Sequence, residues 1–300
     1  MRILVSGARG LIGAATADSL AAEGHEVVRL VRRTSTNSSA EIEWSPETGV
    51  ARPGELEGID AIVHLAGESI AGGRWTVARK NSIRDSRVIG TSKLVEAVLS
   101  LKRMPSVFLC ASAIGYYGDC GEAVVDESSP AGRGFLAEVC QAWEGATAPL
   151  AAGGVRVVNL RFGVVLSARG GALQKMLVPF RLGLGGVVGS GRQYMSWVSL
   201  DDAAGAVTFG LSNDRVRGPV NVVAPRAVTN TEFTRALGRA LKRPTVFPLP
   251  AFALRLALGE MADALLLGST RVTPRRLLDL GYVFKHTEIN ETLQSLVTHG

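Results

Sequence analysis

A chain that opens Met-Arg-Ile-Leu-Val-Ser-Gly7-Ala-Arg-Gly10-Leu-Ile-Gly13 has few folds open to it. An apolar strand runs at once into three glycines spaced Gly-x-x-Gly-x-x-Gly, and an Ala/Leu helix of about Leu11 to Glu23 follows. That order is the strand–turn–helix of a dinucleotide site. Gly7 makes the tight turn off the strand. Gly10 lets backbone approach a pyrophosphate, and Gly13 lets helix and strand pack closely. The helix start offers open N–H groups and a partial positive charge to the phosphates. Leu11 and Ile12 in that first turn, and Arg9 in the loop, therefore count with the glycines as cofactor-binding residues. Gly24 stops the helix, and Glu26 to Val31 forms a second strand.

The end of that second strand selects the dinucleotide. An NAD site places Asp or Glu there, about 20 residues beyond the glycines, to hold the ribose 2′-hydroxyl. Here the position is Val31, followed by Arg32 and Arg33. A carboxylate repels a 2′-phosphate, whereas a guanidinium binds it through paired hydrogen bonds. The expected cofactor is NADP(H), with Arg9 as a third cation. The competing reading is a pair of solvated arginines.

Strands and helices alternate through the first half, the pattern of a parallel sheet covered on both faces. A short strand is expected at Glu41 to Trp44, and buried ones at Asp60 to Leu65, Ser106 to Ala111 and Val155 to Arg161. Helices are expected at Thr76 to Leu101 and Phe135 to Leu150. Residues 163–191 are glycine-rich and read as irregular, a stretch able to wrap a ligand. After a strand at Trp197 to Leu200, Asp201 or Asp202 is expected to cap a helix. Thr229-Asn-Thr-Glu232 reads as a capping box. Thr273-Pro274 opens a last short helix, ended by Gly281. The fold expected is α/β, a doubly wound parallel sheet of Rossmann type with a smaller mixed C-terminal substrate lobe. Residues 1–165 form the NADP-binding domain, to which 197–223 returns. Residues 166–196 and 224–300 form the lobe.

Bulk properties narrow the classes. A first strand at residue 2 leaves no room for a targeting peptide, so a cytoplasmic location is expected. The most apolar run, Phe252 to Leu267, is broken by Arg255, Glu260 and Asp263, which reads as an amphipathic helix and not a membrane span. Three scattered cysteines suggest neither a disulfide frame nor a metal site. A net charge of +6 suits phosphate-bearing ligands; no basic run supports nucleic-acid binding.

The glycine loop together with His64-Leu65-Ala66-Gly67 resembles an extended short-chain dehydrogenase/reductase. Other stretches narrow the likeness: Arg74-Trp-Thr, Arg79-Lys80, Ser86-Arg87, Ser112-Ala-Ile-Gly-Tyr-Tyr-Gly118, Phe135-Leu-Ala-Glu, Trp143-Glu144, Arg161-Phe-Gly-Val-Val-Leu166, Pro179-Phe-Arg-Leu-Gly-Leu-Gly-Gly186 and Gly189-Ser-Gly-Arg-Gln193. Together they resemble the atypical branch called epimerase family protein, YfcH-like or SulA-like, over essentially the whole chain. The resemblance implies the Rossmann fold, NADP(H) and contacts from Leu65, Ala66 and Gly67 to the cofactor. A homodimer is expected by analogy with the wider superfamily alone.

One departure matters. The wider superfamily uses Tyr-x-x-x-Lys on a helix, where the ammonium lowers the phenol pKa and holds the nicotinamide ribose. The four tyrosines here, Tyr116, Tyr117, Tyr194 and Tyr282, are followed at that spacing by Cys120, Gly121, Val198 and His286. The positions matching the motif are Phe135 and Val139, neither of which transfers a proton. The substitutes are Ser112, Tyr116 and Tyr117. Ala113 competes with Ser112 for the register of the catalytic serine, and packing or surface bonding is an equal alternative for the tyrosines. Glu68 is a candidate on the substrate side, with pairing to Arg74 or Lys80 as the alternative. Arg192 and Gln193, on a glycine loop, are read as anion-holding substrate residues. Arg161 and Arg181 resemble such positions too, with salt bridges as the alternative. His64 is read as structural, and Trp44 as core, with adenine stacking as its alternative.

Two functions follow. The first is an NADP(H)-dependent oxidoreductase or nucleotide-sugar epimerase-like enzyme with a non-standard active site, acting on a small polar substrate, nucleotide-linked or not. The second is a catalytically weak NADPH-binding sensor or scaffold.

Overall fold

The computed structural model describes residues 1–33 and 40–299. The first half runs β1 (Arg2–Ser6), α1 (Leu11–Ala22), β2 (Glu26–Val31), β3 (Glu41–Ser45), β4 (Gly49–Val50), β5 (Ala61–His64), α2 (Val77–Leu99), β6 (Val107–Ala113), β7 (Val124–Val125), α3 (Phe135–Gly145), α4 (Ala148–Ala152) and β8 (Arg156–Phe162). The second runs β9 (Val164–Ser167), α5 (Gly171–Arg181), β10 (Tyr194–Met195), β11 (Trp197–Ser199), α6 (Leu200–Ser212), β12 (Gly218–Val222), β13 (Val228–Thr229), α7 (Asn230–Leu241), α8 (Ala251–Leu258), α9 (Glu260–Ala262), β14 (Arg271–Val272), α10 (Arg275–Asp279) and α11 (Ile289–His299).

Eight strands form one sheet in the order β12-β8-β6-β5-β1-β2-β3-β4, parallel except for the β3–β4 hairpin. Ile3, Leu4 and Val5 of β1 and Ala61, Ile62 and Val63 of β5 are fully buried, as both-faced coverage requires. Helices α1 and α6 pack together, as do α2 and α3. Chain order reverses between β1 and β5, so the ligand crevice opens at their carboxyl ends. A second core gathers Leu173 and Leu177 of α5, Trp197, Phe233 and Leu237 of α7 and Leu293 of α11. No helix of the described residues is long and apolar enough to cross a membrane.

Five details differ from the sequence reading, the first being that the short helix after Thr273-Pro274 is not the last, because α11 follows it. Within 163–191 a regular helix, α5, carries Leu173, Leu177 and Phe180 into the second core, so glycine content hid an amphipathic pattern. The cap of α6 is Ser199, whose hydroxyl accepts from the Asp202 N–H. Asp202 is fully buried and accepts from the Lys285 and His286 backbone N–H groups, which pins the C-terminal segment. The expected single helix over 252–267 breaks at Gly259, which has φ +63°. The helix expected over 135–150 divides at Ala146–Thr147, where the Thr147 hydroxyl donates to the Glu144 carbonyl.

Candidate functional site

The crevice is built by three loops leaving β1, β5 and β6. In the first, Gly7 has φ +68°, and a Cβ there would lie 2.8 Å from the Leu65 carbonyl. A Cβ on Gly13 would lie 2.2 Å from the Gly7 oxygen. Helix α1 starts at Gly10 without a side-chain cap, and the N–H groups of Leu11, Ile12 and Gly13 have no acceptor among the described residues. They are the open donors that a pyrophosphate needs. Beside them Arg32 and Arg33 are exposed, past the end of β2, and form no ion pair among the described residues. Arg9 is exposed too and lies 3.6 Å from Glu41. Residues, charges and cradle fit a phosphorylated dinucleotide.

The second loop is held from beneath. The Ser6 hydroxyl accepts from the Leu65 and Ala66 N–H groups, at 3.0 and 3.2 Å, so its own proton points to His64 Nδ1 at 2.7 Å. His64 is fully buried, and burial holds its pKa down at about 4. The neutral ring then carries its proton on Nε2 and donates to Thr91, which also accepts from Trp143. Leu65 and Ala66 thus offer a cofactor their carbonyls and apolar surface, because their N–H groups are taken. Gly67 lies over Arg87, with a Cβ there only 3.3 Å from the guanidinium carbon. Arg87 donates to the Ile83 and Glu68 carbonyls and stacks on Trp143 at 5.1 Å. Sequence reading assigned Arg87 no role; the glycine that makes room for it was the available signal. Glu68 pairs with Arg79 at 2.9 Å, and not with Arg74 or Lys80. Trp44 is buried in the core, edge-on to His64.

The end of β6 and the third loop carry the proton-transfer candidates, and the structure separates them. Ser112 is buried and donates to Glu144 at 2.7 Å. Arg161 grips both oxygens of the same carboxylate at 2.8 Å and donates to the Tyr117 hydroxyl at 2.9 Å. Burial works against the Arg161 charge, but the Glu144 carboxylate outweighs it and raises its pKa. Tyr117 donates in turn to Asn221 of β12, and burial pushes its pKa up to about 12. These hydroxyls are committed within the protein. The Tyr116 hydroxyl has no partner among the described residues, and its ring lies under the Arg161 guanidinium at 3.4 Å. Phe135, read from the sequence as matching the motif's tyrosine, lies edge-on to Trp75 at 5.1 Å with the Lys80 ammonium 5.0 Å from its ring.

In the second lobe, Gln193 is buried and its amide donates to the Val188 and Leu266 carbonyls. The amide thus ties two segments of the lobe together. Arg192 is exposed beside it. Arg161 is the salt bridge already described, and Arg181 is exposed without an ion pair among the described residues.

The model of the NAD dependent epimerase/dehydratase family matches residues 3–223, and that of a domain of unknown function (DUF1731) matches 249–296. The chain is 47% identical to epimerase family protein Mb2239 of Mycobacterium bovis, over 97% of this chain and 96% of that protein. Its structure matches human epimerase family protein SDR39U1 (isoform 2), solved with NADPH, at TM-score 0.91 and 35% identity, covering both chains fully. It matches a nucleoside-diphosphate sugar epimerase from Corynebacterium glutamicum at TM-score 0.80 and 33% identity, over 99% of this chain and 58% of that one.

Proposed function

The chain belongs to the NAD dependent epimerase/dehydratase family, and from that premise we propose that it is an NADPH-binding reductase or epimerase-like enzyme whose proton donor is Tyr116. The observation that carries the cofactor is the open first turn of α1 beside exposed Arg32 and Arg33, with no carboxylate at Val31. The NADPH held by human SDR39U1 supports it.

When bound, NADPH supplies a hydride to an electrophilic carbon. The chain's own part is to place that carbon and to give its oxygen a proton. The N–H groups of Leu11, Ile12 and Gly13 take the pyrophosphate, and Arg32 and Arg33 take the 2′-phosphate. The Tyr116 hydroxyl reaches the substrate oxygen, with the Arg161 cation against its ring as the proton leaves. Ser112, Glu144 and Tyr117 act by holding Arg161 in place. Arg192 is open to an anionic group on the substrate.

Cofactor-stripped protein titrated with NADPH, NADP+, NADH and NAD+ should melt higher with the phosphorylated pair. On any carbonyl compound that oxidises NADPH, Tyr116→Phe should lower turnover about 10²–10⁴-fold and leave NADPH affinity unchanged. No shift with any of the four nucleotides would overturn the cofactor assignment. Full turnover in Tyr116→Phe would remove Tyr116. A second reading, an NADPH-binding sensor with little catalysis, is favoured by the commitment of Ser112 and Tyr117 inside the protein. A substrate turned over at about 1 per second or faster counts against it.

A further inference from the structure

Five segments close into a ring of contacts that starts beside the glycine loop. Helix α5 starts against Leu11 of the glycine loop, where a Cβ on Gly170 would meet its side chain at 3.3 Å. From the end of α5 the chain turns through 183–189 and pairs with 247–249. Leu249 donates to the Val187 carbonyl and Gly189 to the Leu249 carbonyl, both at 2.9 Å. Helix α8 carries on to Gly259, where a Cβ would lie 3.4 Å from Arg74 Nη2. Glu260 then pairs with Lys80 at 2.5 Å. The ring closes through the segment 71–80, because Lys175 of α5 donates to the Ala71 carbonyl at 3.0 Å.

The ring concentrates exposed apolar surface. Of the fifteen large apolar side chains exposed among the described residues, seven lie on these segments and two more, Leu182 and Val246, directly adjoin them, against the usual scatter of single exposed residues. The barest are Val77, Phe252, Leu256, Val246, Leu182 and Val178, each more than three-fifths exposed. Helix α8 buries none of its eight residues, although six of them are Ala or Leu and one is Phe. The exposed Lys175 and Val178 of α5 and Leu182 at its C-cap follow helical spacing, and Lys175 reaches the Ala71 carbonyl. Several charges on the ring are already taken: Lys80 by Glu260, Arg255 by Asp263, Lys175 by a carbonyl. Arg74 and Arg181, on different segments, carry no ion pair among the described residues and are open to an anionic head group.

We propose that this ring is the mouth of the substrate site and that the substrate brings an apolar chain to it, as an alkyl or aryl carbonyl compound does and a nucleotide sugar does not. The proposal rests on the NADPH-dependent reading above. Its ground is continuity: the ring starts at the loop that holds the pyrophosphate and ends at the segment following Leu65–Gly67, so what enters it meets the reacting end of the cofactor. The Gln193 amide is engaged with the Val188 and Leu266 carbonyls, so it is not open to a diphosphate on the lobe's glycine loop.

The test is a series of straight-chain 2-ketones of increasing length, added to NADPH-saturated protein and, separately, to cofactor-free protein, with the melting midpoint and NADPH oxidation as readouts. Affinity should rise with each methylene, by at most about fourfold. Phe252→Ser with Leu256→Ser, on exposed positions, should flatten the series without altering NADPH affinity. So should Val178→Ser with Leu182→Ser on the facing helix. UDP-sugars should give neither a shift nor oxidation. Length-independent binding, or an intact series in both double variants, overturns the proposal. So does a dimer that both variants dissociate in the absence of any ketone effect, since a second copy of the chain would then cover the patch. A failure of NADPH to bind defeats the cofactor reading instead, and the cofactor-free series still reports on the mouth.

Discussion

Arg161, near the end of β8, and Arg32 and Arg33, just past the end of β2, stand at the carboxyl edge of one sheet and meet opposite treatment. Arg161 is buried, doubly bonded to Glu144, bonded to Tyr117 and laid over Tyr116. Arg32 and Arg33 are exposed and have no ionic partner among the described residues. A buried guanidinium needs a carboxylate, because the uncompensated charge costs several kcal/mol. An exposed one keeps its hydration and remains available to a ligand. Residue type is the same in both places; what differs is whether the fold delivers a partner from another element. The comparison divides the site into a floor whose charges are paired and a rim whose charges are open to a ligand.

The floor should break hardest. Glu144→Gln keeps the shape of the side chain but leaves Arg161 charged, and should cost about 3–5 kcal/mol of unfolding free energy. Urea denaturation reads it directly. Replacing both partners with apolar residues, as in Glu144→Leu with Arg161→Met, should recover much of that loss, since no charge is then left buried. A loss below about 1 kcal/mol in the single variant would mean that water reaches Arg161, and the division between floor and rim would fail.

Acid attacks the same floor from the β5 side. In the unfolded chain an imidazole takes up its proton near pH 6.5, while folded His64 resists until about 4. Its contribution is therefore fully present above pH 6.5 and falls as the pH drops toward 4, by about 3 kcal/mol over the whole window. In His64→Gln that part of the acid sensitivity should vanish, so the stability gap between variant and parent should narrow between pH 7.5 and 4.5. Parallel curves would place the acid-sensitive group elsewhere.

The glycine turn and the frame around it were legible in the sequence, and the floor was not. Gly7, with its left-handed φ, and Gly13, where a Cβ would clash with the Gly7 oxygen, announce themselves through backbone geometry, and strand β2 and the Thr229–Glu232 capping box follow from local pattern. The Ser112–Glu144–Arg161–Tyr117–Asn221 network joins five segments of the chain, with Tyr117 and Asn221 separated by 104 residues. No spacing rule connects them, so Ser112 and Tyr117 looked as available as Tyr116. Gln193 misled for the same reason: its glycine-loop setting suggested ligand binding, while its bonding partner Leu266 lies 73 residues away. Helix α5 was hidden by Gly170, Gly171 and Pro179, whose local preferences gave way to the apolar face it lends the second core.

The smallest effect on stability should accompany the sharpest effect on ligand choice. Arg32→Ala with Arg33→Ala removes two exposed cations that touch no carboxylate among the described residues, so the unfolding free energy of the cofactor-free protein should move by no more than about 0.5 kcal/mol. A charge-assisted hydrogen bond contributes about 1.5–3 kcal/mol, and exposure reduces it, so NADPH affinity should fall roughly tenfold or more. NADH, which lacks the 2′-phosphate, should bind the variant as it binds the parent. The ratio of the two dissociation constants is thus the measurement, and it isolates the rim because the floor contributes equally to both nucleotides. An unchanged ratio would leave Arg9 as the cation facing the 2′-phosphate, despite its pairing with Glu41. Arg9→Ala in the same titration then decides whether the loop arginine or the strand-end pair sets the preference.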